Sequence, residues 1–206
     1  MREMKFYGQH GFEDIGITPF ETCGISCLLM AKDYFGVDFP TTGKEKSLYL
    51  KYHSKAAKKG MLGSAIAYVL SEKKLGAKLV HSSEKLLENR ENYYPQEQFE
   101  EILAEHKKYI KMANGAFSAE IDPDITGETL AAELKKDRLL IVQTFIEGNA
   151  DGIHDKVMHW ILLYGFENGI FKACDPLSGK TTFTQEELAG YMETPFGKTY
   201  ISVWEK

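Results

Sequence analysis

The stretch TCGISCLLM, residues Thr22–Met30, places Cys23 at the predicted start of an apolar helix that runs to about Gly36. Apolar residues recur at helical spacing up to that glycine, and Thr22 is suited to the N-cap position. Backbone N–H groups in a first helical turn lack partners within the helix, and with the positive end of the helix dipole they stabilise a negatively charged sulfur. The position therefore favours a nucleophilic thiolate, although a cysteine can also serve as a small buried hydrophobe.

The second informative stretch is a predicted β-hairpin, in which two apolar, aromatic-rich runs flank Asn168-Gly169. The first run opens with His159, and Asp175 lies near the end of the second. A three-residue loop, Glu167–Gly169, would place both side chains on one face of the sheet as diagonal neighbours. A two-residue loop would place them on opposite faces unless a bulge restored the register. We therefore predict the three-residue loop or a compensating bulge.

A cysteine at a helix start, a histidine at a strand start and an aspartate from the next strand can act as nucleophile, base and orienting carboxylate. His154 is an alternative base, but it lies in a predicted loop rich in Asp and Gly, where solvent exposure is expected. The spacing of the cysteines suits no common zinc site, and Cys27 and Cys174 are predicted core residues. We accordingly expect neither a metal nor a cofactor.

These motifs resemble those of the papain-like cysteine peptidases of the bacteriocin-processing, double-glycine leader type. The resemblance rests on Cys23-Gly24 with the following Leu28–Met30, and on His159 with the following Tyr164–Phe166 and Asp175-Pro176. It includes the 16-residue step from the histidine to the aspartate. The specific motifs thus lie at the two ends of the chain.

The resemblance implies an α+β, papain-like fold in which N-terminal helices pack on a C-terminal antiparallel β-sheet. It also implies that Cys23, His159 and Asp175 form a triad that hydrolyses a peptide or another amide through a thioester acyl-enzyme. Two alternatives stay open: an acyltransferase that uses the same triad, and an inactive member that binds peptides. Gly24 and Trp160, each next to a triad residue in the sequence, are candidates for the substrate cleft.

One position departs from the family pattern. Members carry a glutamine six residues before the nucleophile, and its amide helps to bind the oxyanion, whereas this chain has Ile17 there. Isoleucine cannot donate a hydrogen bond, and the loss of one oxyanion donor costs on the order of a hundred- to a thousandfold in rate. Gln9, Thr18 and Thr22 are the candidates to replace it.

The length suits one domain with a sizeable core, and we predict a single domain over residues 1–206. Relative to the compact family pattern, a segment at about 82–125 is a predicted helical insertion, with a helix from Gln96 to about Met112. Its predicted apolar stripe includes Met112. Insertions beside a cleft can form lids or substrate walls, so Tyr93 and Tyr94 are further cleft candidates.

The composition limits the partners. With 25 basic and 30 acidic residues, a net charge of −5 and no long run of either sign, the chain shows no sign of binding nucleic acid. No stretch approaches the roughly 18 to 20 apolar residues of a membrane span, and the first residues are not an apolar leader. Three cysteines are an odd number, which indicates reduced thiols and a cytoplasmic protein. The expected partner is a peptide or an amide-containing small substrate, and the oligomeric state stays open.

Overall fold

The computed structural model describes residues 3–37, 44–55, 60–71, 75–83, 96–150, 153–194 and 197–206. Its helices are α1 (Cys23–Tyr34), α2 (Lys44–Tyr52), α3 (Gly63–Ser71), α4 (Gln96–Ala113), α5 (Gly127–Leu134) and α6 (Gln185–Met192). Its strands are β1 (Leu75–His81), β2 (Ser118–Ile121), β3 (Leu139–Ala150), β4 (Ile153–Glu167), β5 (Ile170–Asp175), β6 (Gly179–Thr184) and β7 (Thr199–Glu205). Short 3-10 helices at Glu13–Ile15 and Pro19–Glu21 precede α1.

The strands form one seven-stranded sheet in the order β2-β1-β7-β3-β4-β5-β6. Neighbouring strands run antiparallel, with the exception of β1 and β2, which are parallel. The predicted C-terminal antiparallel sheet is formed by β3 to β7. The parallel pair at the other edge arises because α4 returns the chain so that β2 runs in the direction of β1. The predicted α+β class is confirmed.

Helices cover both faces of the sheet. Buried residues of α1 to α4 share one hydrophobic cluster with Leu139 and Ile141 of β3, and those of α5 and α6 share a second cluster with Leu140 and Val142. A strand that alternates between two covered faces is apolar throughout, as β3 is at its start. The sequence predicted the N-terminal layer of helices on the sheet, and the structure adds the layer formed by α5 and α6. No helix of the described residues is long and apolar enough to cross a membrane.

Helix α1 begins at Cys23, as predicted, and ends just before Gly36, whose φ of 64° is the left-handed conformation that stops a helix. Every residue from Cys23 to Lys32 is buried, so α1 is held by packing on all sides. Thr22 occupies the N-cap position, but its side chain does not cap the helix and donates instead to the carbonyl of His10. The first turn of α1 is thus rigid and carries no side-chain cap.

The hairpin of β4 and β5 differs from the predicted three-residue loop. Its turn has two residues, Asn168 and Gly169, with φ values of 51° and 81°, which matches the twist of the flanking strands. A bulge between Leu163 and Gly165 then shifts the register by one residue. The prediction of the loop length was wrong, and the compensating bulge is present.

The segment at about 82–125 is only partly helical. Helix α4 spans Gln96–Ala113, close to the predicted range, and β2 follows as an edge strand that the sequence did not indicate. Met112, predicted to face inward, is exposed, because the buried side of α4 is formed by Ile102, Tyr109 and Ala113. Tyr93 and Tyr94 lie outside the described residues.

Candidate active site

The structure brings together Cys23, His159 and Asp175. Beyond the bulge, Leu162 pairs with Cys174, and this register places His159 and Asp175 on one face of the sheet. His159 Nε2 lies 2.7 Å from Asp175 Oδ1, and the imidazole is close enough to the Cys23 side chain for the two to interact electrostatically. Since Nε2 faces the carboxylate, Nδ1 is the nitrogen left for the thiol. Cys23 and His159 are 3% and 2% exposed, so this pair is almost fully shielded from water.

The Asp175 carboxylate is fixed by the turn that follows it. Its Oδ1 also accepts the Leu177 N–H at 2.8 Å, and its Oδ2 accepts the Ser178 hydroxyl at 2.7 Å. Burial by itself would raise the pKa of Asp175, but the hydrogen bond and charge of His159, together with the two donors of the turn, lower it. Ser178 was not among the predicted site residues, although an Asp with a Ser three residues later is a common turn pattern.

The environment of His159 has opposing effects on its pKa. Burial disfavours the charged ring and lowers the pKa, whereas the hydrogen bonds and charges of Asp175 and Cys23 outweigh burial and raise it to about 9. Shifts of this kind are concentrated in functional sites. The imidazole is therefore held as a cation next to Cys23 near neutral pH.

This shift can be tested by following the imidazole resonances of His159 in NMR across a pH titration. We expect a midpoint of about 9 in the wild type. Asp175→Asn removes the carboxylate while the ring stays buried, so the midpoint should fall to or below the ordinary value of about 6.5. His159→Ala identifies the resonance. A wild-type midpoint near 6.5 would contradict the ion-paired site.

Gln9 lies between the first turn of α1 and the turn after Asp175. Its backbone N–H donates to the Pro176 carbonyl at 3.0 Å. The carbonyls on either side of it are held by α1: Ser26 Oγ donates to Gly8 at 3.2 Å and Thr22 Oγ1 donates to His10 at 3.0 Å. This residue thus joins the helix that carries Cys23 to the turn that carries Asp175.

The Gln9 side chain is buried without hydrogen bonds. It is 9% exposed, and within the described part of the chain neither Nε2 nor Oε1 has a partner. An unsatisfied buried polar group costs about 1 to 3 kcal/mol, and buried polar groups in native proteins are nearly always paired. This unpaired amide, on a segment bonded to the start of α1, is a candidate donor to a bound substrate.

The other residues considered for the oxyanion are already engaged. Ile17 is buried and pairs through its backbone with Phe12. Thr18 is exposed and its side chain donates to Glu21, and the Thr22 hydroxyl donates to backbone carbonyls. Of the three candidates, Gln9 therefore has the unused buried donor.

Two predicted cleft residues belong to the core. Trp160 is buried, and its indole N–H donates to the Met61 carbonyl at 3.0 Å. A Cβ on Gly24 would lie 3.0 Å from Met61 Cβ, so this glycine allows close packing of α1 on the segment before α3. Both residues pack at the interface between the helices and the sheet, and their place in the substrate cleft stays a prediction.

The remaining cysteines and His154 lie apart from this chemistry. Cys27 and Cys174 are buried, and the Cys27 thiol donates to the Trp160 carbonyl at 3.3 Å. His154 lies in β4, paired with Asn149, and not in a loop as predicted. It is five residues before His159, about 16 Å along the strand. Among the described residues, no three His, Cys, Asp or Glu side chains form a group that could hold a metal ion.

The fold matches solved peptidase domains. A double glycine motif protease from an AMS/PCAT transporter, in complex with the leader peptide, superposes with a TM-score of 0.52 at 13% identity, over 98% of this chain and 92% of that one. The peptidase domain of Streptococcus ComA, a bifunctional ABC transporter in quorum sensing, gives a TM-score of 0.49 at 12% identity, over 99% and 100%. No protein-family model and no curated protein matches the chain. The chain has the papain-like fold of the double-glycine peptidase domains. The fold that the motifs predicted is therefore confirmed.

Proposed function

We propose that this protein is a cysteine peptidase that hydrolyses a peptide bond through a thioester acyl-enzyme. The observation that carries the proposal is the position of His159, which is hydrogen-bonded to Asp175 and interacts electrostatically with Cys23. The three side chains come from α1, β4 and β5, so packing fixes their mutual geometry before substrate binds. Preorganisation of this kind is what nucleophilic catalysis requires.

In the proposed reaction the Cys23 thiolate attacks the scissile carbonyl. The oxyanion receives hydrogen bonds from the Cys23 backbone N–H at the start of α1 and from Gln9 Nε2. His159 gives its Nδ1 proton to the leaving amine and then takes one from the water that hydrolyses the thioester, while Asp175 holds the ring in place. Gln9 thereby replaces the donor that Ile17 cannot supply.

For the substrate, we propose a peptide. The structural neighbour that was solved with a leader peptide is a double glycine motif protease, so peptides with two glycines before the scissile bond are the first to assay. We also propose a cytoplasmic location, which the three free cysteines support because reducing compartments keep thiols unpaired.

The proposal is tested by alkylating Cys23 with iodoacetamide between pH 5 and 9 and quantifying the modified peptide by mass spectrometry. The thiolate is the reactive form, so an ion pair with His159 should give rapid alkylation at pH 6, on the order of tenfold above His159→Ala. Cys27 and Cys174 in the same digest are internal controls that should stay unmodified. Equal rates in the wild type and the variant would mean that no thiolate–imidazolium pair exists, and the peptidase proposal would fail.

A further inference from the structure

The turn Asp175–Ser178 connects the acid–base pair to the oxyanion donor. Leu177 and Ser178 donate to the Asp175 carboxylate, and the Pro176 carbonyl accepts the backbone N–H of Gln9. A single turn therefore fixes both the carboxylate behind His159 and the extended segment that carries the Gln9 amide. Its geometry bears on both halves of the proposed site.

Ser178 contributes the bond that sets the plane of the carboxylate. Asp175 Oδ1 already receives His159 Nε2 and the Leu177 N–H, whereas Oδ2 receives the Ser178 hydroxyl at 2.7 Å. A carboxylate held through one oxygen can rotate, since its terminal torsion is broad and roughly two-fold. A short bond from a hydroxyl to an ionised oxygen is one of the stronger side-chain hydrogen bonds.

We infer that Ser178 is a positioning residue, which acts through Asp175 to keep His159 protonated beside Cys23. The inference rests on the proposed function, because its value to the protein is the reactive ion pair. Asp175 is ionised throughout the range in which the ring titrates, so Ser178 acts on the orientation of the carboxylate and not on its charge. Without this bond the carboxylate can rotate away from the ring, so the ring loses its proton at lower pH.

The groups that face this network are few. His159 faces Cys23 on α1 and Asp175 on β5. Asp175 also acts electrostatically on Cys27 of α1, but burial raises the pKa of that thiol well above its ordinary value, so it stays neutral. The change expected on loss of the Ser178 hydroxyl is thus confined to the Asp175–His159–Cys23 network.

The experiment follows the His159 imidazole by NMR in the wild type, Ser178→Ala, Ser178→Thr and Ser118→Ala, together with urea unfolding of each. Ser118 is the matched control: an exposed serine that donates to a carboxylate, Glu120, on the edge strand β2. We expect Ser178→Ala to lower the titration midpoint by a fraction of the fall that Asp175→Asn produces, because the charge of Asp175 stays and only its orientation is lost. Ser178→Thr should restore most of that shift. The lower pKa of His159 should make Ser178→Ala less stable at pH 7, and this loss should shrink at about pH 10, where the ring is neutral in every variant.

The outcomes separate the inference from the proposed function. Suppose that wild-type His159 titrates well above its ordinary pKa. A midpoint that does not move in Ser178→Ala, or that moves equally in Ser118→Ala, then overturns the inference and leaves the proposed function standing. A loss of stability in Ser178→Ala that is as large at about pH 10, where the His159 ring is neutral in every variant, as at pH 7 overturns it as well, because Ser178 would then be structural. If wild-type His159 titrates normally and Cys23 alkylation ignores His159→Ala, the proposed function fails and the inference with it.

Discussion

Replacing Cys23 with alanine is expected to abolish peptide cleavage, with kcat lower by at least about 10⁴-fold. No other group is placed to form the thioester, and a triad without its nucleophile retains only the binding and oxyanion contributions. Side-chain truncation at the first residue of α1 should leave the fold intact. The measurement is cleavage of a fluorogenic peptide under single-turnover conditions, with the folded state checked by circular dichroism.

Cys27→Ala and Cys174→Ala are the matched controls for this prediction. Burial raises the pKa of the Cys27 thiol well above its ordinary value and that of Cys174 to about 11, so both stay protonated and unreactive. Each change removes a buried sulfur and should cost about 1 kcal/mol of stability while leaving kcat within a few-fold. If Cys27→Ala loses cleavage and Cys23→Ala keeps it, the nucleophile is Cys27 and the prediction is wrong.

The hairpin of β4 and β5 shows which features local sequence can predict and which it cannot. Asn168-Gly169 indicates a tight turn, and the structure has the two-residue turn that this pair favours most. That turn alone would have put His159 and Asp175 on opposite faces, and the bulge between Leu163 and Gly165 reverses this effect. A bulge depends on packing across two layers, which the pattern of one strand does not encode. From the sequence, the placement of His159 beside Asp175 was therefore predictable only as one of two alternatives.

The direction in which core residues face was hard to predict for a similar reason. Cys23 at a helix start could be predicted because helix signals are local and this stretch has them in order. Whether Gly24 and Trp160 face a cleft or the interior depends on Met61, which is distant in the chain from Trp160 and contacts both. Adjacency in sequence to a reactive residue is thus weak evidence for a place in the cleft.

The oxyanion donor illustrates a third limit. The sequence leaves Gln9, Thr18 and Thr22 equivalent, since each can donate a hydrogen bond. Burial and existing bonds distinguish them, because the hydroxyls are already committed and the amide is not. Gln9 is also farther from Cys23 in the chain than the family glutamine, and the residues between them form a loop closed by the pairing of Phe12 and Ile17. The proposed donor thus lies outside the usual spacing.

Gln9→Met is expected to lower kcat by roughly 10² to 10³-fold without destabilising the protein. Methionine fills a similar volume but has no donor for the oxyanion, so the transition state loses one hydrogen bond. In the free enzyme the amide is buried and unpaired in the described structure, so its removal should leave the free energy of unfolding unchanged or raise it by about 1 kcal/mol. The two effects have opposite signs, which is the signature of a group kept for catalysis at the expense of stability.

Ser64→Ala provides the control for that argument. Ser64 on α3 also has a buried hydroxyl without a partner among the described residues, but nothing places it near Cys23. Its removal should give the same stability change as Gln9→Met and no loss of kcat. If Gln9→Met instead keeps full activity, the Cys23 N–H alone stabilises the oxyanion. If it loses stability and activity together, the Gln9 amide is structural. Only a loss of rate in a protein at least as stable as the wild type assigns the amide to the oxyanion.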